Sequence, residues 1–186
     1  MADTFDTCLA FTLRAEGGYV DNPADPGGAT NMGITLATYR EWSDDPNLGA
    51  TQVRDMTERT ARAIYRSLYW NPLRADALPL GVDLSVFDMG VNAGIWRSAR
   101  ILQRALGFTG EAVDGSVGPE TLAAAAKSDA RTVVDQLARR QAAYYRGLVD
   151  FATFGEGWLK RTTERRNAAL AMIGRVEQEG APTARV

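Results

Sequence analysis

Apolar side chains recur every three or four positions along most of this chain, and strict alternation is never sustained. That period predicts helices. Over residues 3–15, Phe5, Cys8, Leu9, Thr12 and Leu13 form one stripe, with Asp3 or Thr4 placed to cap the start. Glu16 follows, and Gly17-Gly18 end the helix. Leu36–Trp42 reads as a short helix. Thr57–Trp70 carries Ala61, Ile64, Tyr65 and Leu68 on one face, and Pro72 stops it. Residues 79–92 bring Val82, Val86, Met89 and Val91 to a core. Ile95–Leu106 adds Ala99, Leu102, Ala105 and Leu106, with Gly107 as its C-cap. Pro119 opens a helix over 119–127. Asp129 caps another over 130–149, striped by Val133, Val134, Leu137, Gln141, Tyr144, Tyr145 and Leu148. The last spans about 157–178, through Trp158, Leu159, Leu170, Ile173 and Val176, and the end from Glu179 reads as frayed.

Two stretches break the helical period. Residues 17–35, GGYVDNPADPGGATNMGIT, hold five Gly and two Pro among Asn and Asp. This is turn chemistry, with short extended pieces near Tyr19-Val20 and Met32–Thr35. It is too long and varied for a linker and suits a functional loop on a rigid scaffold. Residues 108–118 form a second Gly-rich connection. The expected architecture is mainly α, with a small β-hairpin or loop lobe near the N-terminus. The expected organisation is a region 1–107, a helical region 108–180 packed on it, and a flexible tail 181–186.

Composition narrows the chemistry. The 186 residues include no histidine and one cysteine, Cys8. That excludes Ser-His-Asp triads, Cys-His dyads, His-ligated metals, Cys-based zinc sites and any intrachain disulfide. Carboxylates are the main acid–base groups left. Cys8 lies on the apolar stripe and reads as a buried thiol. Net charge is −2, but residues 1–130 hold 11 basic and 17 acidic side chains, and residues 131–186 hold 10 and 6. The basic part suits either a solvated helix face or contact with an anionic surface. The acidic first part and the lack of a dense basic stripe argue against nucleic acid. No run approaches a membrane span. Asp3 and Asp6 stand where a secretory signal needs a basic region, so another carrier is expected to move the chain to any target outside the cytoplasm.

Glu16 is the leading candidate for chemistry. A helix end holds its side chain, and the two glycines let a substrate approach the backbone. The residues alone leave two readings: a solvated glutamate, or a carboxyl whose apolar surroundings keep it protonated as a general acid. A second carboxylate has to come from the loop. Asp25, in ADPGG, and Asp21, in VDNP, are the choices, and each also suits a plain turn residue.

EGGYVDNPADPGGATNMGIT resembles the signature of glycoside hydrolase family 108, peptidoglycan N-acetylmuramidases of phage endolysin and secretion type. E-G-G, D-P-G-G, T-N and G-I-T occur in that order. FDMGVNAG (87–94) resembles a later segment of the family. EAVDGSVGPETLAAA (111–125) resembles the start of a small peptidoglycan-binding region that often follows it. The resemblance implies a lysozyme-like helical fold and cleavage of the β-1,4 bond between N-acetylmuramic acid and N-acetylglucosamine. It makes Glu16 the catalytic acid. The layout is similar to that of phage lysozymes, which sets Asp25 and Thr30 beside it, with Thr30 or Asn31 as an alternative orienter of water. Tyr19, Asn31, Tyr69, Trp70, Asn92, Trp96 and Trp158 are the candidates for sugar contacts, each aromatic being equally suited to core packing. Asp88 reads as structural, holding a loop or pairing an arginine.

The expected partner is the glycan strand, reached as a monomer, with a holin or an export system as carrier. The expected site of action is the periplasm or wall. No metal or organic cofactor is implied. A lytic transglycosylase and a non-catalytic wall-binding protein are the competing readings.

Overall fold

The structure, a computed structural model, describes residues 4–14, 16–21 and 28–180. Asp3, Asp25 and the expected tail 181–186 lie outside the described residues. The fold is mainly α with one small antiparallel sheet near the N-terminus, as the patterning predicts. Contacts divide the chain into two compact units, one of Phe5–Asn71 and one running from Pro72 onward together with Thr4.

In the first unit, α1 (Phe5–Leu13) buries Phe5, Cys8, Leu9 and Thr12, the predicted stripe. Cys8 is a free, buried thiol, as expected. The loop returns through a hairpin of β1 (Thr30–Asn31) and β2 (Ile34–Thr35), paired Thr30 to Thr35 and Asn31 to Ile34. Val20 bridges to Thr30 through two backbone bonds of 2.8 Å. Thr35 then caps α2 (Leu36–Ser43), accepting from the Thr38 amide at 3.1 Å. A short α3 (Ala50–Arg54) follows, which the turn-rich sequence around it conceals. Thr57 caps α4 (Glu58–Tyr65). The predicted helix does reach Trp70, but its last turn, Arg66–Trp70, is a π-helix closed by a 2.9 Å bond from the Asn71 amide to the Arg66 carbonyl. Such wide turns insert a residue and redirect the side chains that follow.

In the second unit, α5 (Val82–Ala93) is buried from Val82 to Gly90. It packs against α6 (Ile95–Ala105), α8 (Ala130–Arg146) and α9 (Phe151–Gly180), while α7 (Pro119–Lys127) starts at its proline as expected. The chain therefore divides by contacts between Asn71 and Pro72. The Gly-rich connection at 108–118 lies within one unit. α9 begins at Phe151, earlier than the glycines of FATFGEGW suggest. Gly155 is helical there because the Phe151 ring lies across it: a methyl group added to Gly155 would stand 2.5 Å from that ring.

Asp88 is structural. Its carboxylate accepts from Arg161 Nη2 at 2.7 Å and Arg165 Nη1 at 2.6 Å. Burial alone would raise its pKa, but Arg165 and Arg161 outweigh that and hold the carboxyl below the ordinary range. Arg165 also donates to Gln141 Oε1, and Gln141 Nε2 donates to the Ser85 carbonyl at 3.2 Å. The network ties α5, α8 and α9 together with its polar groups satisfied.

Candidate active site

Glu16 stands just past α1, its amide bonded to the Leu13 carbonyl at 3.1 Å. This continues the last helical turn and fixes where the side chain starts. The carboxylate lies against the Met32-Gly33 turn of the hairpin. Gly33 has φ +73°, and a methyl group added there would be 2.8 Å from Glu16 Oε2 and 2.6 Å from Tyr65 Oη. Glycine is required twice over, for the left-handed backbone and for the space. Tyr65 Oη donates to the Met32 carbonyl at 2.9 Å, so α4 holds the turn that Glu16 faces. Tyr69, one turn on, has its ring centre 5.7 Å from that of Tyr65. Burial raises the Tyr69 phenol above its ordinary pKa, and the charges of Glu16 and Glu41 raise it further. Tyr69 therefore stands neutral in the field of Glu16, a phenolic donor beside a carboxyl.

The other expected residues separate into groups. Thr30 lies on β1, half-buried, and its hydroxyl donates weakly to the Gly28 carbonyl at 3.4 Å. Asn31 donates its amide to the Val53 and Arg54 carbonyls at 3.0 and 3.1 Å, closing the end of α3. Tyr19 donates to Asp21 at 3.2 Å, with the Arg54 guanidinium 5.9 Å from its ring centre. Trp70 is fully buried, edge-on to Phe5 with ring centres 5.1 Å apart, so its indole serves the core and offers no face to a sugar. The π-turn explains the split: it sends Tyr69 toward Glu16 and the next residue, Trp70, inward. In the second unit, Asn92 is exposed and donates to the Asp88 carbonyl of its own helix at 2.6 Å. Trp158 stacks on Tyr145, ring centres 5.4 Å apart and 28° between planes.

Tyr65 and Gly33 are the site residues that sequence reasoning missed. Tyr65 sits on the apolar stripe of its helix and reads as core, which it also is, at 1% exposure. A buried tyrosine needs a partner for its hydroxyl, and that requirement was the available signal.

Comparison with known proteins agrees with these features. Residues 9–94 match the family model Glycosyl hydrolase 108, and residues 97–163 match a Predicted Peptidoglycan domain. The structure of Brucella abortus SagA is similar at 40% identity and a TM-score of 0.81, over 92% of this chain and 97% of that one. No curated protein matches the chain.

Proposed function

The chain belongs to the glycosyl hydrolase 108 family and is a hydrolase of peptidoglycan, and within that activity we propose that Glu16 is the general acid of an N-acetylmuramidase. The observation that carries the reading is the placement of its carboxylate at the end of α1, against Gly33, with Tyr65 and Tyr69 beside it. A rigid carboxyl next to an open glycine turn suits protonation of a glycosidic oxygen. Glu16 gives its proton to the oxygen between N-acetylmuramic acid and N-acetylglucosamine. Positive charge develops at the sugar's anomeric carbon and ring oxygen as the bond breaks. Asp25, with Thr30, stabilises that charge or activates the water that completes hydrolysis. Neutral Tyr69 orients substrate beside the acid. Asn31 serves the scaffold, since its amide is committed to the carbonyls of α3.

Residues 108–180 act as the wall-binding region, a role supported by the peptidoglycan-domain match over 97–163. Among the described residues no helix is long and apolar enough to cross a membrane.

Purified peptidoglycan digested by wild type and by Glu16→Gln, reduced with borohydride and analysed by mass spectrometry, tests the reading. Reduced muramic-acid ends are expected from the wild type alone, with both proteins giving the same circular dichroism. Turnover by Glu16→Gln would remove the assignment, and anhydro-muramic ends would make the protein a transglycosylase. Asp25→Asn is expected to lower turnover more than Asp21→Asn; the reverse order moves the second role to Asp21.

A further inference from the structure

In the unit that starts at Pro72, α6 and α8 enclose an open groove of about 310 Å3. Arg97, Arg100 and Arg104 enter it from α6, at spacings that place them along one side of the helix, and Arg140 enters from α8. Two of the guanidinium groups lie over aromatic rings. Arg100 is 4.5 Å from the ring centre of Trp96, and Arg97 is 4.5 Å from that of Tyr144. Trp96 is 55% exposed, yet its position is fixed, because its indole lies across Gly115, where a methyl group would be 2.4 Å from Nε1.

Among the described residues these four arginines form no ion pair. Arg131, Arg161, Arg165 and Arg166 of the same unit each have a carboxylate partner. Arg97 Nε is buried and meets no acceptor. Asp114 is the acid that Arg100 feels, and its Oδ1 already accepts from Gln103 at 2.7 Å and from the Ser116 amide at 2.8 Å. Beyond Arg104 and Arg140 the groove opens into a second hollow of about 470 Å3, floored in part by Phe108 and Val113.

We propose that this groove binds the peptide stems of peptidoglycan through their free carboxylates. The inference rests on the reading of peptidoglycan as substrate. A neutral sugar has no use for four cations lacking counter-charges. Guanidinium forks match carboxylates with two parallel bonds each, and the rings that carry them are already in place. The stem alternates carboxylates with alanine methyl groups, and the groove alternates arginines with ring faces and an apolar hollow. A phosphate polymer is the less favoured occupant, since the whole chain carries a net charge of −2 and repels a long polyanion.

Titration calorimetry on the full chain tests this, with the sugar-free tripeptide L-Ala-γ-D-Glu-diaminopimelate as probe. Its fully amidated counterpart and inorganic polyphosphate serve as comparisons. The acid peptide is expected to bind wild type and Glu16→Gln alike. Amidation should weaken binding about tenfold or more, and so should the double change Arg100→Gln with Arg140→Gln. Equal binding of acid and amidated peptides, no binding of either, or a preference for polyphosphate would overturn the proposal. The amidated peptide decides the matter on wild type even where the double variant fails to fold. Peptide binding without release of sugar ends from the wall would sink the muramidase reading alone. Sugar ends released without peptide binding would sink the groove alone.

Discussion

Gly33 is the position on which the acid depends most directly. A side chain there meets Tyr65 Oη and Glu16 Oε2 at once, on a backbone that L-residues adopt at a cost of about 1–2 kcal/mol. Gly33→Ala is therefore expected to displace the carboxylate while leaving the helices formed. Release of reducing ends should fall about tenfold or more, because a small misplacement of a reacting group is enough for such a loss. Wild-type turnover in this variant would show that Glu16 works from another position. Asp88 presents the opposite case, a buried carboxylate with no part in the chemistry. Asp88→Asn leaves Arg165, at 1% exposure, without its counter-charge, and a loss of about 3–5 kcal/mol in stability is expected from chemical denaturation. At this scale the chain was partly legible. Glu16 announced itself by its place before two glycines, and Cys8 and Asp88 by lying in apolar helical stripes. Trp70 did not, because the direction of an aromatic near a helix end depends on the turn type there.

Among the elements, the hairpin does the most with the fewest residues. Its two-residue strands are too short to stand alone. They are held by Val20 on one side, by Asn31 reaching the carbonyl end of α3, and by Tyr65 of α4 on the turn. Asn31→Ala should lower the midpoint of thermal unfolding, at about 1–2 kcal/mol for two bonds lost, with turnover per folded molecule unchanged. A selective loss of turnover would return Asn31 to the chemistry as an orienter of water. The period of the apolar residues revealed α1, α2 and α5 to α8 close to their observed bounds. It did not reveal α3, which is one short helix among turn formers, nor the π-turn, which uses the same side chains as an α-turn. The early start of α9 was hidden for a similar reason. Glycine reads as a break until a ring is known to lie across it.

For the molecule as a whole, acid stability follows from the two buried carboxylates of α5. Asp88 has its pKa depressed in the folded state, so its contribution is fully present above the unfolded value of about 3.9 and is lost as pH falls through the folded value. Asp83 works the other way. Burial raises its pKa, against bonds from Thr4, Leu84 and Gly81, so it opposes folding near neutrality and ceases to do so as acid protonates it. Melting temperature plotted against pH should drop below about pH 4 in wild type, and the drop should be shallower in Asp88→Asn. An equal slope in both would assign acid unfolding to other groups. The sequence marked a compositional change at 107–112, but contacts separate the chain at Asn71, because burial along α5 recruits α8 and α9 to the same core.

That separation has a temporal meaning. The residues gathered about Glu16 all come from Phe5–Asn71, the stretch that leaves the ribosome first. The surroundings of the acid depend on no partner still to be translated. Thr4 must wait for Asp83, and Asp88 for Arg161 and Arg165 near the other end of the message. During each round of synthesis the hydrolytic part is free to take shape while the cationic helices are still unmade.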